Sequence, residues 1–363
     1  MMSITIDQIF DEDFYLSQYP EVADAIANGT ANSPLDHYLT VGQYQGFLPG
    51  KLFSDVYVFG DSFSDDGNLF ELTNGIFPEF PNFEGRFTNG IIWIETLIPE
   101  LGLEINPENN VAYGGATTGT DNVLNPRTDV LPDNLLPLPG IQTQIDDFVA
   151  ENPVADPNAL YMVWGGGNDY VGLSLTEVDA PITNLLTTID KLADAGAKNI
   201  MIPNLFDLGA IPLAVNGSPE VQQRLAQVTQ DHNAALQTAL EEVEQNSDIN
   251  IIQVDMYSAL NQAIENPANF GFSNVTEAFL DTNATNPDEF VFWNPIHPTV
   301  RSHNLFANQA QKSLSEVSEV LSIVEATQEY PRQSVPEPSI FNSGLVIVLA
   351  LLFLSNNLSK KTR

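Results

Sequence analysis

Val56-Tyr-Val-Phe-Gly-Asp-Ser-Phe-Ser-Asp-Asp-Gly-Asn68 sets the reading of this chain. Its first half is apolar, β-branched and aromatic, which predicts a buried strand; its second half turns abruptly to Gly, Asp, Ser and Asn, which predicts a tight polar turn. In a parallel α/β sheet the crevice beyond the carboxyl ends of the strands is where ligands bind, so Ser62 sits where a nucleophile is useful. Taken by itself, a Gly-Asp-Ser turn is as readily a cap for the next helix. The other strand ends have to decide between the two.

Outward from that stretch, apolar runs at about 53–59, 110–113, 159–164, 199–203 and 250–255 read as strands. Helical spacing over Glu177–Ala195, closed by Gly196, and over Pro219–Gln245 supplies the crossovers. Five strands with helical connections predict a flavodoxin-like three-layer α/β/α domain with a mainly parallel sheet, from about 52 to 325. The right-handed crossover rule then gathers the polar turns on one sheet edge. These turns are Gly114-Gly115-Ala116-Thr117, Gly165-Gly166-Gly167-Asn168-Asp169 and, further on, Asn294-Pro295-Ile296-His297-Pro298. Glycine lets backbone N–H groups approach one oxygen, and Asn168 adds an amide donor. Each such donor contributes on the order of 3 kcal/mol to an oxyanionic transition state.

Composition narrows the chemistry. The 363 residues include 48 acidic against 12 basic ones, a formal charge of -36 that repels phosphate backbones and argues against nucleic acid. No cysteine is present, so disulfides, thiolate metal sites and a cysteine nucleophile are excluded. The histidines, His37, His232, His297 and His303, show no paired metal-ligand spacing, and the residues before Gly67 do not fit a calcium loop, so no metal or other cofactor is expected. Position 64 is serine, so the Gly-x-Ser-x-Gly elbow of α/β-hydrolases is absent.

Gly60-Asp61-Ser62, Gly115, Gly166-Gly167-Asn168-Asp169 and His297-Pro298, in this order, resemble the blocks of the GDSL or SGNH hydrolase family. Gly85-Arg86-Phe87-Thr88-Asn89-Gly90, Pro203 to Gly209 and His232-Asn-Ala-Ala-Leu236 extend the likeness, which is greatest to phospholipase, lecithinase and hemolysin-like esterases. The resemblance implies an acyl-ester or lipid substrate and an acyl-serine intermediate. In it Ser62 is the nucleophile and His297 the general base, while the backbone of Ser62 and Gly115 and the Asn168 side chain form the oxyanion hole. The family carries Asp three residues before the histidine, where this chain has Asn294. An amide oxygen can hold the imidazole but supplies no charge to imidazolium. Asn294 therefore implies a slower enzyme, or a surface protein that uses the same cleft to bind acyl or glycan groups. Asp288 and Glu289 would substitute only if their loop folded toward the ring.

Residues 1–50 read as a small helical module in which His37 is a packing residue, similar to a motif of cyanobacterial surface proteins. The Pro-rich stretch 121–140 has the length of a binding loop or lid over the acyl site, and equally that of an exposed connection between helices. Residues 326–339 form a linker ending in Pro336-Glu337-Pro338, and 340–363 an apolar run with a basic end. This tail resembles the PEP-CTERM sorting signal and implies export and a sorting machinery at the membrane, although the first thirty residues show no secretory signal.

Overall fold

The computed structural model describes residues 10–45, 47–127, 131 and 137–328, with side chains to 315. One compact unit ends at Ile323; of the second, which begins at Val324, only 324–328 are described, as helix. The sorting-type tail and most of the stretch 128–136 lie outside the described residues.

Four apolar runs form the central sheet: β1 (Val56–Gly60), β2 (Leu160–Trp164), β3 (Asn199–Pro203) and β4 (Asn250–Val254). They lie in the order β1-β2-β3-β4, all parallel, with Val56 opposite Leu160 and Asn199 opposite Asn250. Both faces of the sheet are covered, which is why these strands are apolar in succession rather than alternately. On one face Val58, Met162, Met201 and Ile252 meet Trp93 and Leu97 from the helix Trp93–Glu100 and Phe306 and Ala310 from the helix Val300–Gln328. On the other, Phe59, Tyr161, Val163, Ile200 and Ile202 meet Ile141 and Ile145 of Ile141–Glu151 and Leu185 and Ile189 of Asp179–Ala195. Each fully buried side chain of this kind contributes roughly 1.5–3 kcal/mol. The three layers and the parallel sheet are as expected.

Among the described residues the sheet has four strands, not five. Residues 110–113 run beside β1 and donate two bonds to it, Val111 N–H to Val58 O (3.0 Å) and Tyr113 N–H to Gly60 O (3.2 Å). Only an isolated bridge, Val58 with Asn110, results. The reason lies in a side chain: with Val111 and Tyr113 donating to β1, the ladder would next need Gly60 N–H to reach the Val111 carbonyl, and Gly60 N–H is taken instead by Gln144 Oε1 (2.9 Å). A feature the sequence reading did not include is a small parallel pair, β5 (Asn274–Ala278) with β6 (Phe290–Phe292), just before the His297 loop.

The N-terminal helices Glu12–Gln18, Glu21–Ala27 and Pro34–Thr40 close over Tyr15, Val22 and Tyr38. Asp11 and Ser33 cap the first and third. His37 is buried and bonded through Nδ1 to Tyr15 Oη (3.0 Å), a packing role as expected.

Candidate active site

Ser62 lies in the turn that ends β1, and the turn is over-determined. The Asp61 carbonyl accepts N–H groups from Ser64 and Asp65 (both 3.0 Å), and Asp61 Oδ1 accepts that of Phe63 (3.1 Å). Gln144, from the helix beneath, closes a two-way amide pair with Gly60 (both 2.9 Å). A Cβ at Gly60 would lie 2.6 Å from the Trp164 carbonyl, so only glycine fits beside β2 here. Within this frame Ser62 N–H has no acceptor among the described residues.

The Gly114-Gly115 turn is tied to the same frame by Asp65, whose Oδ2 accepts Gly114 N–H (2.8 Å) and whose Oδ1 accepts those of Gly67 (3.0 Å) and Leu69 (3.4 Å). Gly115 has φ +81, and its N–H, like that of Ser62, meets no acceptor among the described residues. Asn122 Nδ2 holds the Gly114 carbonyl from behind (2.9 Å). The third turn begins at Gly166 (φ +118), which starts the short helix Gly167–Val171. Asp169 binds it back to the second turn by accepting Thr118 N–H (3.0 Å) and Thr118 Oγ–H (2.8 Å). Asn168 projects between the first two turns: Nδ2 donates to the Ala116 carbonyl at 2.9 Å and reaches Asp61 Oδ2 at 3.3 Å. One amide hydrogen is thus committed, and the other is held at the long end of bonding range.

His297 arrives from a sequence distance of 235 residues and places Nε2 2.8 Å from Ser62 Oγ. Its Nδ1 lies 3.0 Å from Asn294 Oδ1, which also accepts the backbone N–H of His297 (2.8 Å) and Ile296 (3.0 Å). Two backbone donors on that atom require it to be the oxygen, so Nδ1 carries the proton and Nε2 is free to accept one. The rings of Phe63 (5.5 Å) and Phe87 (5.1 Å) flank the imidazole. Burial lowers its pKa to about 3, with no carboxylate to oppose the effect. Asp288 and Glu289 do not reach it; Glu289 accepts from Asn286 and Ser273 instead. Burial also raises Asp61 and Asp65 to about 7 each, against the bonds they accept from backbone N–H groups.

All five residues singled out from sequence, Ser62, Gly115, Asn168, Asn294 and His297, therefore meet in one place. Asp65, Asn122, Gln144 and Thr118, which hold them, were not singled out. The Asp65-Asp66-Gly67 run just after the Gly-Asp-Ser turn was a visible signal for Asp65; Gln144 gave none, since it lies on an amphipathic helix like any other polar residue. No group of three potential metal-ligating carboxylates or histidines occurs among the described residues.

With this geometry in view the chain belongs to the GDSL-like lipase/acylhydrolase family, whose description matches residues 56–310. Among particular proteins it is similar to a phosphatidylcholine-sterol acyltransferase of Aeromonas hydrophila, 31% identical over 62% of this chain and 65% of that protein. It is similar also to a thermolabile hemolysin of Vibrio parahaemolyticus, 26% identical over 80% of this chain and 70% of that one. The chain thus spans less than two thirds of the first relative's length. A crystal structure of a lipolytic G-D-S-L family protein from Veillonella parvula is 17% identical with a TM-score of 0.41, covering 71% of this chain and 96% of that one.

Proposed function

We propose that this protein hydrolyses acyl esters through a covalent acyl-Ser62 intermediate. The observation that carries the reading is the continuous Ser62 Oγ, His297, Asn294 chain at 2.8 and 3.0 Å beside two unengaged N–H groups. Ser62 Oγ forms a bond to the ester carbonyl carbon while its proton passes to His297 Nε2. The carbonyl oxygen becomes an oxyanion facing Ser62 N–H, Gly115 N–H and the second amide hydrogen of Asn168, which exchanges a 3.3 Å contact for a charged acceptor. His297 then returns the proton to the leaving alkoxide, and water repeats the sequence in reverse to release the acid. Asn294 holds the tautomer throughout but leaves the imidazolium without a counter-charge.

For the substrate we favour esters with an apolar acyl group. Leu69, Phe87 and Leu138, with Phe77, Tyr113 and Leu124 against them, form an apolar cluster that reaches His297 through Phe87 and Gly115 through Leu124. The acyltransferase relative is named for a phosphatidylcholine, consistent with this choice. Labelling with a serine-reactive fluorophosphonate tests the reading: stoichiometric modification that disappears, with ester hydrolysis, in Ser62→Ala supports it. A folded wild-type protein that neither labels nor hydrolyses short or long acyl esters would instead favour a cleft that only binds such groups. We also propose export, from Pro336-Glu337-Pro338 and the apolar, basic-ended tail after it; recovery of the protein solely in the cytosolic fraction would count against that.

A further inference from the structure

The block Gly85-Arg86-Phe87-Thr88-Asn89-Gly90 takes no part in the chemistry above, yet its neighbours are the residues around His297. Thr88, fully buried, donates its Oγ–H to the Pro298 carbonyl at 2.8 Å. Asn89 Oδ1 accepts Val300 N–H at 2.9 Å, the first N–H of the helix Val300–Gln328. Asn82 Oδ1 accepts Trp293 Nε1–H at 3.0 Å. The Phe87 ring lies 5.1 Å from the imidazole at an interplanar angle of 33°. Gly90 has to be glycine, since a Cβ there would stand 2.9 Å from Val300 Cγ2. Residues before and after His297 are thus gripped by one segment.

That segment is itself fastened to the core. Arg86 makes a two-pronged bond to Glu95, Nη2 to Oε1 at 2.7 Å and Nε to Oε2 at 3.2 Å. Glu95 Oε2 also accepts Ile92 N–H (2.9 Å) at the start of the buried helix Trp93–Glu100. The backbone bonds that otherwise hold the loop 293–299 include Trp293 and Asn294 N–H to the His297 carbonyl, Thr299 N–H to Val291 O, Leu280 N–H to the Trp293 carbonyl (3.1 Å) and Leu213 N–H to the Pro295 carbonyl (2.8 Å); none of them engages the Pro298 carbonyl that Thr88 holds.

We propose that residues 82–90 act as a strap that sets the position of His297 against Ser62, with Thr88 and Asn89 as positioning residues. The inference rests on the hydrolase reading above. Its logic is that a neutral Asn294 cannot pull the imidazole into place by charge, so the ring's location depends on the backbone that carries it. Freeing the Pro298 carbonyl lets that backbone shift, and displacement by about 1 Å at a reacting group costs up to about 100-fold in rate.

Thr88→Val keeps the shape of the side chain and removes the donor; Thr88→Ser keeps the donor. The expected result is a fall in kcat of about 10- to 100-fold for Thr88→Val at nearly unchanged KM, with fluorophosphonate labelling of Ser62 slowed by the same factor and Thr88→Ser close to wild type. A second pair decides if Thr88→Val does not fold: Asn89→Ala loses the acceptor for Val300 N–H and should be slow, whereas Asn89→Asp retains it and should be restored. Rates within twofold of wild type in folded Thr88→Val or Asn89→Ala, or equal losses in both members of a pair, overturn the proposal. Should the wild type prove inert, the hydrolase reading fails by itself. The strap is then read from the NMR signal of the His297 Nδ1 proton, whose bond to Asn294 is expected to weaken in Thr88→Val and not in Thr88→Ser; no difference between the two sinks it.

Discussion

Replacing Asn294 by Asp should convert a slow site into a faster one. The substitution is isosteric, and the oxygen that accepts from His297 Nδ1, His297 N and Ile296 N at 3.0, 2.8 and 3.0 Å is retained. What changes is one unit of charge beside the imidazole. Two unit charges about 4 Å apart at an effective dielectric near 20 interact by about 4 kcal/mol before the cost of desolvating them is subtracted. Asn294 is half-buried, so the increment is better taken as that of a hydrogen bond to a charged group, about 1.5–3 kcal/mol. At about 1.4 kcal/mol per factor of ten, kcat should rise roughly 10- to 100-fold. The same free energy raises the pKa of His297, now about 3, by about one to two units, so the acid limb of the rate profile should move up with the rate. Initial rates on a p-nitrophenyl acyl ester across pH, with a melting curve as control, measure both. A folded Asp variant whose kcat is within twofold of wild type and whose acid limb does not move would refute the reasoning.

Two further outcomes follow from the same geometry. Gly115→Ala places a methyl group 2.5 Å from Asn122 Oδ1 and 2.7 Å from Leu124 Cγ at a φ of +81, so the N–H that faces the oxyanion is displaced; kcat should fall by about 10²–10³ with labelling of Ser62 slowed in parallel. The His297 imidazole, followed by its own NMR signal so that Asp61 and Asp65, both near 7, are not read in its place, should stay in its neutral, proton-accepting form as pH falls from 7 to 5, because burial lowers its pKa to about 3; a midpoint near the ordinary histidine value of about 6.5 would show the imidazole to be solvated instead.

Local sequence was informative wherever a feature is local. The four strands of the sheet are short apolar runs closed by Gly, Pro or Asp, and the turns that follow β1 and β2 display their glycines and polar side chains openly. Residues 110–113 misled because their composition fits a strand, while Gln144, distant in sequence, takes up the Gly60 N–H that a ladder would need. β5 and β6 were missed because Asn274–Ala278, with Asn, Thr and Glu among its residues, has too little apolar character to register.

The amino-acid sequence alone determined the ingredients of Ser62, Gly115, Asn168 and His297 and the replacement of a carboxylate by Asn294. It determined too that the site would lie at the carboxyl ends of parallel strands, since apolar period and glycine placement are properties of neighbouring residues. Only the tertiary structure decided that His297 stands 2.8 Å from Ser62 across 235 residues, that Asp65 couples the nucleophile turn to Gly114, and that Thr88 and Asn89 grip the histidine loop. Those are hydrogen bonds between segments with no sequence relation. Their partners are selected by packing of the whole core, which no local pattern encodes.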